Sequence, residues 1–260
     1  MTYYTREFSD FFEHYFTGWV RHYSPRLAAF LRQSAPDARS VLDLCCGTGI
    51  TAEVLCGEGW SVTGVDRSPG MLDVARRRLG DLIEAGRVRL SEQDARDFSL
   101  AGPVDAAVCL DGALNHLDVP GDLELCFARV GEALAPGGQF VFDVFETSHF
   151  RHWDNLTLTD DADAVIAKRG VWDTDSGTGM LRVSGVLEQD GRLQRVNQTL
   201  RSRYFGPQDI AAACKSAGLV PAEHDIEASY AMCESGSCSR TSTPCRTIYR
   251  ALKPEAGHIP

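Results

Sequence analysis

No run of apolar residues in this chain approaches the about 20 needed to cross a bilayer as a helix, so no membrane partner is expected. The amino end, Met1-Thr2-Tyr3-Tyr4-Thr5-Arg6, lacks the charged-then-apolar pattern of a secretory signal, and the expectation is a soluble, cytoplasmic protein. Basic residues are in the minority: 26 Lys and Arg against 36 Asp and Glu leave a formal charge of −10. Gripping a phosphate backbone takes clustered cations, so nucleic acid is excluded as a partner. The one basic run, Arg76-Arg77-Arg78, reads as a solvated helix face because no second cluster supports it. Internal repeats are also missing.

Cysteine is not scarce, but its pattern is uninformative about disulfides. Nine cysteines, an odd count with no export signal, point to free thiols. Cys45, Cys56, Cys109, Cys126 and Cys214 lie in apolar runs and read as small core residues. Cys233, Cys238 and Cys245 fall in a polar stretch, at spacings that match no common zinc pattern. They read as exposed thiols on a mobile loop, and no metal is expected. Clustered oxygen ligands for magnesium are lacking too.

What is present suits one large domain, or one domain with a sizeable insertion: 260 residues, 43% of them hydrophobic. Its most informative stretch is Val41-Leu42-Asp43-Leu44-Cys45-Cys46-Gly47-Thr48-Gly49, followed after a helix-sized gap by Val62-Thr63-Gly64-Val65-Asp66. This is a strand, a glycine turn, a helix, and a second strand ending in an acid, the layout that holds an adenosine-containing cofactor. Two cofactors fit it. Gly47, Gly49 and Ala52, with Asp66 following, match the nicotinamide dinucleotide fingerprint. Asp43 favours the other, since an acid aimed into the turn repels a pyrophosphate and attracts a ligand bearing a cation.

Further along, strands are predicted near 40–44, 61–66, 88–92, 104–110 and 139–144, with helices near 51–58, 70–79 and 122–134. That alternation predicts a doubly wound, Rossmann-like α/β fold with a parallel sheet. A helix from Pro207 and two closing strands, near 220–230 and 246–252, bring the sheet to seven, mostly parallel. Residues 145–205 carry short alternating runs with a hairpin turn at 188–192, predicting a small antiparallel insertion. Aromatics at helical spacing between Phe8 and Leu31 predict amphipathic amino-terminal helices, read equally well as a lid or as plain core packing. The division expected is a lid over 1–35, a cofactor-binding domain over 36–144 and 206–253, and a substrate cap over 145–205.

Asp43-Leu44-Cys45-Cys46-Gly47-Thr48-Gly49 resembles the first motif of the class I S-adenosylmethionine-dependent methyltransferases. Cys45 stands where that family usually has its first glycine, and a small residue suffices if only close backbone approach is needed. Asp66-Arg67-Ser68-Pro69-Gly70-Met71-Leu72 resembles the second motif, with the acid on the ribose hydroxyls and Met71 on the adenine. Asp94-Ala95 follows the third strand as the family's adenine-reading pair does. Leu134-Ala135-Pro136-Gly137-Gly138 is similar to a frequent junction there. The resemblance implies S-adenosylmethionine as cofactor, held by Asp43, Cys45, Gly47, Gly49, Asp66, Arg67, Met71, Asp94, Ala95 and Leu110.

Cys109 to Leu117, with Asp111, Asn115 and His116, is similar to a subgroup acting on small molecules, including sugar N-methyltransferases and enzymes that tailor microbial natural products. It implies a small-molecule methyl acceptor, a secondary metabolite or its precursor, met by Tyr15, Tyr23, Asn115, Glu146 and Arg203. Methyl transfer is an in-line displacement in which positioning supplies much of the rate. A hydroxyl acceptor also needs a base, for which His116, His149 and His152 are the candidates. Two other functions remain open: an NAD(P)-dependent oxidoreductase, and a protein that binds the methyl donor without methylating. The chain is expected as a monomer or homodimer.

Overall fold

The computed structural model describes residues 4–189, 191–222 and 245–255. Its centre is β1 (Ser40–Leu44), whose Val41, Leu42 and Leu44 are wholly buried, as a strand covered on both faces requires. Around it stand β2 (Ser61–Asp66), β3 (Val88–Glu92), β4 (Val104–Cys109) and β5 (Leu134–Phe145), all parallel. β11 (Arg246–Leu252) returns antiparallel beside β5, and β10 (Val220–Ala222) closes the edge. The order is β10-β11-β5-β4-β1-β2-β3, seven strands and mostly parallel. The chain leaves β1 on opposite sides toward β2 and β4, so a crevice opens at the carboxyl ends of these strands.

Helices cover both faces. α2 (Gly18–Ser34), α3 (Ile50–Gly57) and α4 (Pro69–Glu84) bury Leu27, Leu31, Leu55 and Leu79 against Val41 and Val62. α5 (Asp122–Ala133) and α7 (Pro207–Ser216) bury Phe127 and Ile210 against Phe140 and Phe142 on the other side. Each such side chain removed from water contributes about 1.5–3 kcal/mol. Pro136-Gly137-Gly138 does not stand outside β5, as the sequence suggests. The strand begins at Leu134, and the turn is a bulge within it, the register jumping from Val104↔Leu134 to Ala106↔Gln139.

The insertion is a second sheet, order β6-β7-β8-β9: β6 (Leu156–Asp160), β7 (Ala164–Asp173), β8 (Thr178–Gln189) and β9 (Arg192–Arg203). It is preceded by α6 (Thr147–Trp153), which the alternating pattern gave no sign of. The inner face (Ile166, Val183, Val196, Leu200) shares a core with Phe8, Phe11 and Phe16 of the amino-terminal segment. α1 (Arg6–Tyr15) thus packs on the insertion, while Arg77 pairs with Asp10 at 2.8 Å and Arg78 pairs with Glu13, tying α1 to α4. Arg76 and Arg77 remain largely solvated, as expected of this run, while Arg78 is mostly covered by its partners. Cys245 is buried, against the expectation of exposure; Cys233, Cys238 and most of the strand foreseen at 220–230 lie outside the described residues. Among the described residues no helix is long and apolar enough to cross a membrane.

Candidate active site

A cavity of ≈ 1330 Å³, its open mouth included, lies over the carboxyl ends of β1, β2 and β4. One end is built from strand-terminal acids. Asp66 closes β2 and accepts the Gly47 amide at 2.9 Å and the Ser68 amide at 2.8 Å, one on each oxygen. Burial pushes its pKa up while those amides hold it down. Asp43 lies deeper, 2% exposed, and its Oδ2 has no partner among the described residues. Burial, and then the Asp66 charge, raise its pKa to about 8. A buried carboxylate oxygen without a donor is costly unless a ligand supplies one.

The turn between these acids explains its own composition. Gly47 and Gly49 have φ of +52° and +81°, which glycine adopts without penalty. Cys45 has φ +56° as well, so the position asks for left-handed backbone and not only close approach. The reading that any small residue suffices there is corrected: Cys45 carries backbone strain. Gly47 and Cys45 line the cavity, together with Arg67, Met71, Asp94, Ala95 and Leu110. Gly49 instead caps α3, where an added Cβ would meet Leu79 at 2.7 Å and Ala75 at 3.2 Å on α4. The Asp94 carboxylate is gripped by the Arg96 fork at 2.7 and 2.8 Å, which lowers its pKa to about 2, and Arg67 stands 3.5 Å away.

The other end is aromatic and apolar: Phe12, Phe16, Phe145, Trp153, Leu181 and Leu200. His116, in the helical turn Ala113–His116, reaches it. His116 Nδ1 lies 2.8 Å from the Arg201 carbonyl, so it carries the proton and Nε2 is left to accept from the Tyr4 hydroxyl at 3.3 Å. Burial lowers the His116 pKa, which keeps the ring neutral. Tyr4 lines the cavity between the two ends, and its pKa is raised by burial and then by Asp66 and Asp111. It was not among the expected site residues; the signal was the excess of polar-tipped rings near the amino end, Tyr4 included, which suits a lid as well as packing.

The remaining candidates do not line the cavity. Asn115 is buried and clamps backbone, donating to the Arg203 carbonyl and accepting from the Phe145 amide, both at 2.8 Å. Arg203 contributes that carbonyl, while its guanidinium stands over Phe205. Glu146 pairs with Thr247 at the start of α6. Tyr15 donates to Asp161 on the outside of the insertion. His152 is exposed on α6, its Nδ1 2.6 Å from the Ser148 carbonyl.

Tyr23 and His149 belong to one buried column behind the wall. Tyr23 stacks on Trp19 (4.8 Å), Trp19 on the Arg246 guanidinium (4.1 Å), Arg246 on Phe145 (4.5 Å), and Phe145 on His149 (3.7 Å). Burial, and then the Arg246 charge, push the His149 pKa far down, and its ring is not among those that line the cavity. Arg246 bridges Asp111 at 2.8 Å and Asp143 at 3.1 Å.

Residues 41–138 match the family described as "Methyltransferase domain". The chain is 34% identical over 117 residues to the dTDP-3-amino-3,6-dideoxy-alpha-D-glucopyranose N,N-dimethyltransferase of Streptomyces fradiae, covering 45% of this chain and 44% of that protein. It thus spans less than half of that curated relative. The structure superposes on a S-adenosylmethionine-dependent methyltransferase from Clostridium acetobutylicum ATCC 824 with TM-score 0.76 at 20% identity, over 94% of this chain and 98% of that one. An amino pentose methyltransferase from Micromonospora echinaspora, solved with S-adenosylmethionine bound, gives 0.65 at 23% identity, over 90% and 91%. These likenesses carry the fold alone, and the matched domain is what bears on the chemistry. Residues 41–138 thus form a methyltransferase domain, and the chain around them has the sheet order and the acid-ended strands over one cavity that such a fold builds.

Proposed function

We propose that this protein transfers a methyl group from S-adenosylmethionine to a small molecule, a secondary metabolite or its precursor. The observation that carries the reading is the continuity of one cavity whose two ends differ in chemistry: paired strand-terminal acids at one, aromatic and apolar walls at the other. Asp43 and Asp66 suit the amino and ribose groups of the methyl donor, and the orphaned Asp43 oxygen is where a cationic amino group fits. A pyrophosphate finds two buried acids there instead of free amides, which argues against the dinucleotide reading. The methyl donor, when bound, supplies a carbon already activated by its sulfonium.

The chain's own residues then have two tasks. The aromatic end, roofed by β8, β9 and the segment bearing Phe12 and Phe16, holds the acceptor and excludes water. His116 Nε2, neutral and facing the cavity through Tyr4, takes the proton that the nucleophile sheds. The acidic balance argues against a nucleic-acid acceptor, and the printed substrate of the Streptomyces fradiae relative lends support to a small one. The division into a lid over 1–35, a cofactor domain and a cap over 145–205 is part of this reading. Incubation with methyl-labelled donor and a fractionated metabolite extract tests it: label should enter a low-molecular-mass product. Label in macromolecules alone, or none in any fraction, would overturn it.

A further inference from the structure

Asp111 has no role in the account so far, yet the fold goes to some length to fix it. Asp111 and Gly112 follow β4 with φ of +67° and +64°. Left-handed backbone is strained for aspartate, and such strain persists only where the surroundings over-determine it, often at functional positions. Here they do so from both sides. Asp143, at the end of β5, accepts the Gly112 amide at 3.0 Å and Arg246 at 3.1 Å on the same oxygen. Arg246 then holds one oxygen of Asp111 at 2.8 Å. Arg246 is itself 3% exposed and pressed between Trp19 and Phe145.

The charges of this group do not cancel. Two carboxylates share one guanidinium, and the carboxylate that faces the cavity is Asp111, its side chain 19% exposed against none for Asp143. The cavity that Asp111 lines also carries the rings of Phe12, Phe16, Phe145 and Trp153, but Phe145 already stacks on Arg246 and His149 and Phe16 lies under Lys168, so the carboxylate carries the preference for a cation. Among the described lining residues the basic groups are Arg67, beside Asp94, and His116, kept neutral by burial. Among the described residues, an acceptor carrying a carboxylate or phosphate thus meets one arginine already beside Asp94 and, behind Phe16, Lys168.

We propose that Asp111 is the specificity-determining residue of the acceptor end, a carboxylate that takes an N–H from an amine or other nitrogen cation, with Arg246 as its positioning residue. A nitrogen nucleophile enters neutral and becomes positive as the new carbon–nitrogen bond forms and the methyl carbon's bond to the sulfonium sulfur breaks, its electron pair leaving with a neutral thioether. A fixed carboxylate beside it stabilises that developing charge, and the surplus proton leaves afterwards to His116 or water. An anionic acceptor is disfavoured by the same carboxylate. The inference rests on the methyl-transfer reading only for where the acceptor sits.

The test uses isosteric probes on the full chain saturated with S-adenosylhomocysteine: benzylammonium, benzyl alcohol and benzoate, titrated by calorimetry. Benzylammonium should bind at least about tenfold more tightly than the other two, an advantage of the size a charge-assisted hydrogen bond confers. Asp111→Asn should erase that preference while S-adenosylhomocysteine still binds. Arg246→Lys keeps the charge but not the fork, and should weaken the preference partway. Benzoate binding as tightly as benzylammonium, no binding of benzylammonium, or an unchanged preference in Asp111→Asn would each overturn the assignment. Failure of S-adenosylhomocysteine to bind the unaltered protein is a separate result, and it overturns the methyl-donor reading instead.

Discussion

The two ends of the cavity carry carboxylates at the ends of strands, but they hold them in opposite ways. At the donor end Asp66 is satisfied by backbone amides of its own turn and the next, and Asp43 is left with a buried, unpartnered oxygen. At the acceptor end Asp111 and Asp143 are held by a side chain from β11, roughly a hundred residues downstream or more. The donor end is thus local in sequence, built by adjacent strands and the turns that follow them. The acceptor end is assembled from distant segments: the amino-terminal stretch, the second sheet and the last strand. A local site is repeated wherever its motif is repeated. An assembled one is free to change with each of its contributors, which suits a fold whose cofactor is constant and whose acceptor is not.

The largest effect should come from the hinge between the ends. A Cβ on Gly112 would lie 2.3 Å from the Phe145 ring, at a φ that suits glycine. Gly112→Val should destabilise the protein by about 3 kcal/mol or more through overpacking and strain, seen as a clear fall in thermal midpoint. A midpoint close to that of the parent would show that the Asp111–Gly112 turn is not held as described.

Next is the donor end. Asp66→Ala removes the acceptor for two buried amides along with the ribose ligand, and S-adenosylhomocysteine affinity should drop by about 1–3 kcal/mol. Unchanged affinity by calorimetry would remove Asp66 from the site.

A subtler effect distinguishes Asp43. Its pKa of about 8 means that it is mostly protonated at pH 6. A cationic amino group favours the ionised form, so binding expels the proton and affinity rises with pH toward 8, by up to about tenfold per unit. Calorimetry at pH 7 in buffers of different ionisation enthalpy should register most of one proton released. Asp43→Asn should abolish the release; if release persists, another group carries it.

Smallest are the changes at residues that the structure places away from the cavity. His152→Asn and Tyr15→Phe should leave both S-adenosylhomocysteine affinity and turnover within about twofold, as exposed substitutions usually do. A tenfold loss in either would show that the acceptor end reaches further than its walls.

The same contrast explains what could be read in the sequence. That Asp43, Asp66, Met71 and Asp94 come together on one cavity was legible because each lies near the end of a strand or the start of a helix, so position in the chain fixes position in space. The seven strands followed from alternation for the same reason. The placement of Tyr23 and His149 away from the cavity was not legible, because a ring or an imidazole beside apolar residues looks alike in a cleft and in a core. Only the column from Tyr23 to His149 decides between them. Tyr4, two residues before α1, belongs to no periodic element. Arg246 opens a strand whose register against β5 places it under Asp111, and a pairing between segments so far apart leaves no local trace. The strain at Cys45 was hidden because composition reports size and not φ.

The central claim is that the acids at the donor end are built for a cationic, adenosine-containing methyl donor. The most direct test is a pair of titrations on the unaltered protein, one with S-adenosylhomocysteine and one with reduced nicotinamide dinucleotide. The account predicts that S-adenosylhomocysteine binds and the dinucleotide does not. Binding of the dinucleotide without S-adenosylhomocysteine would contradict it.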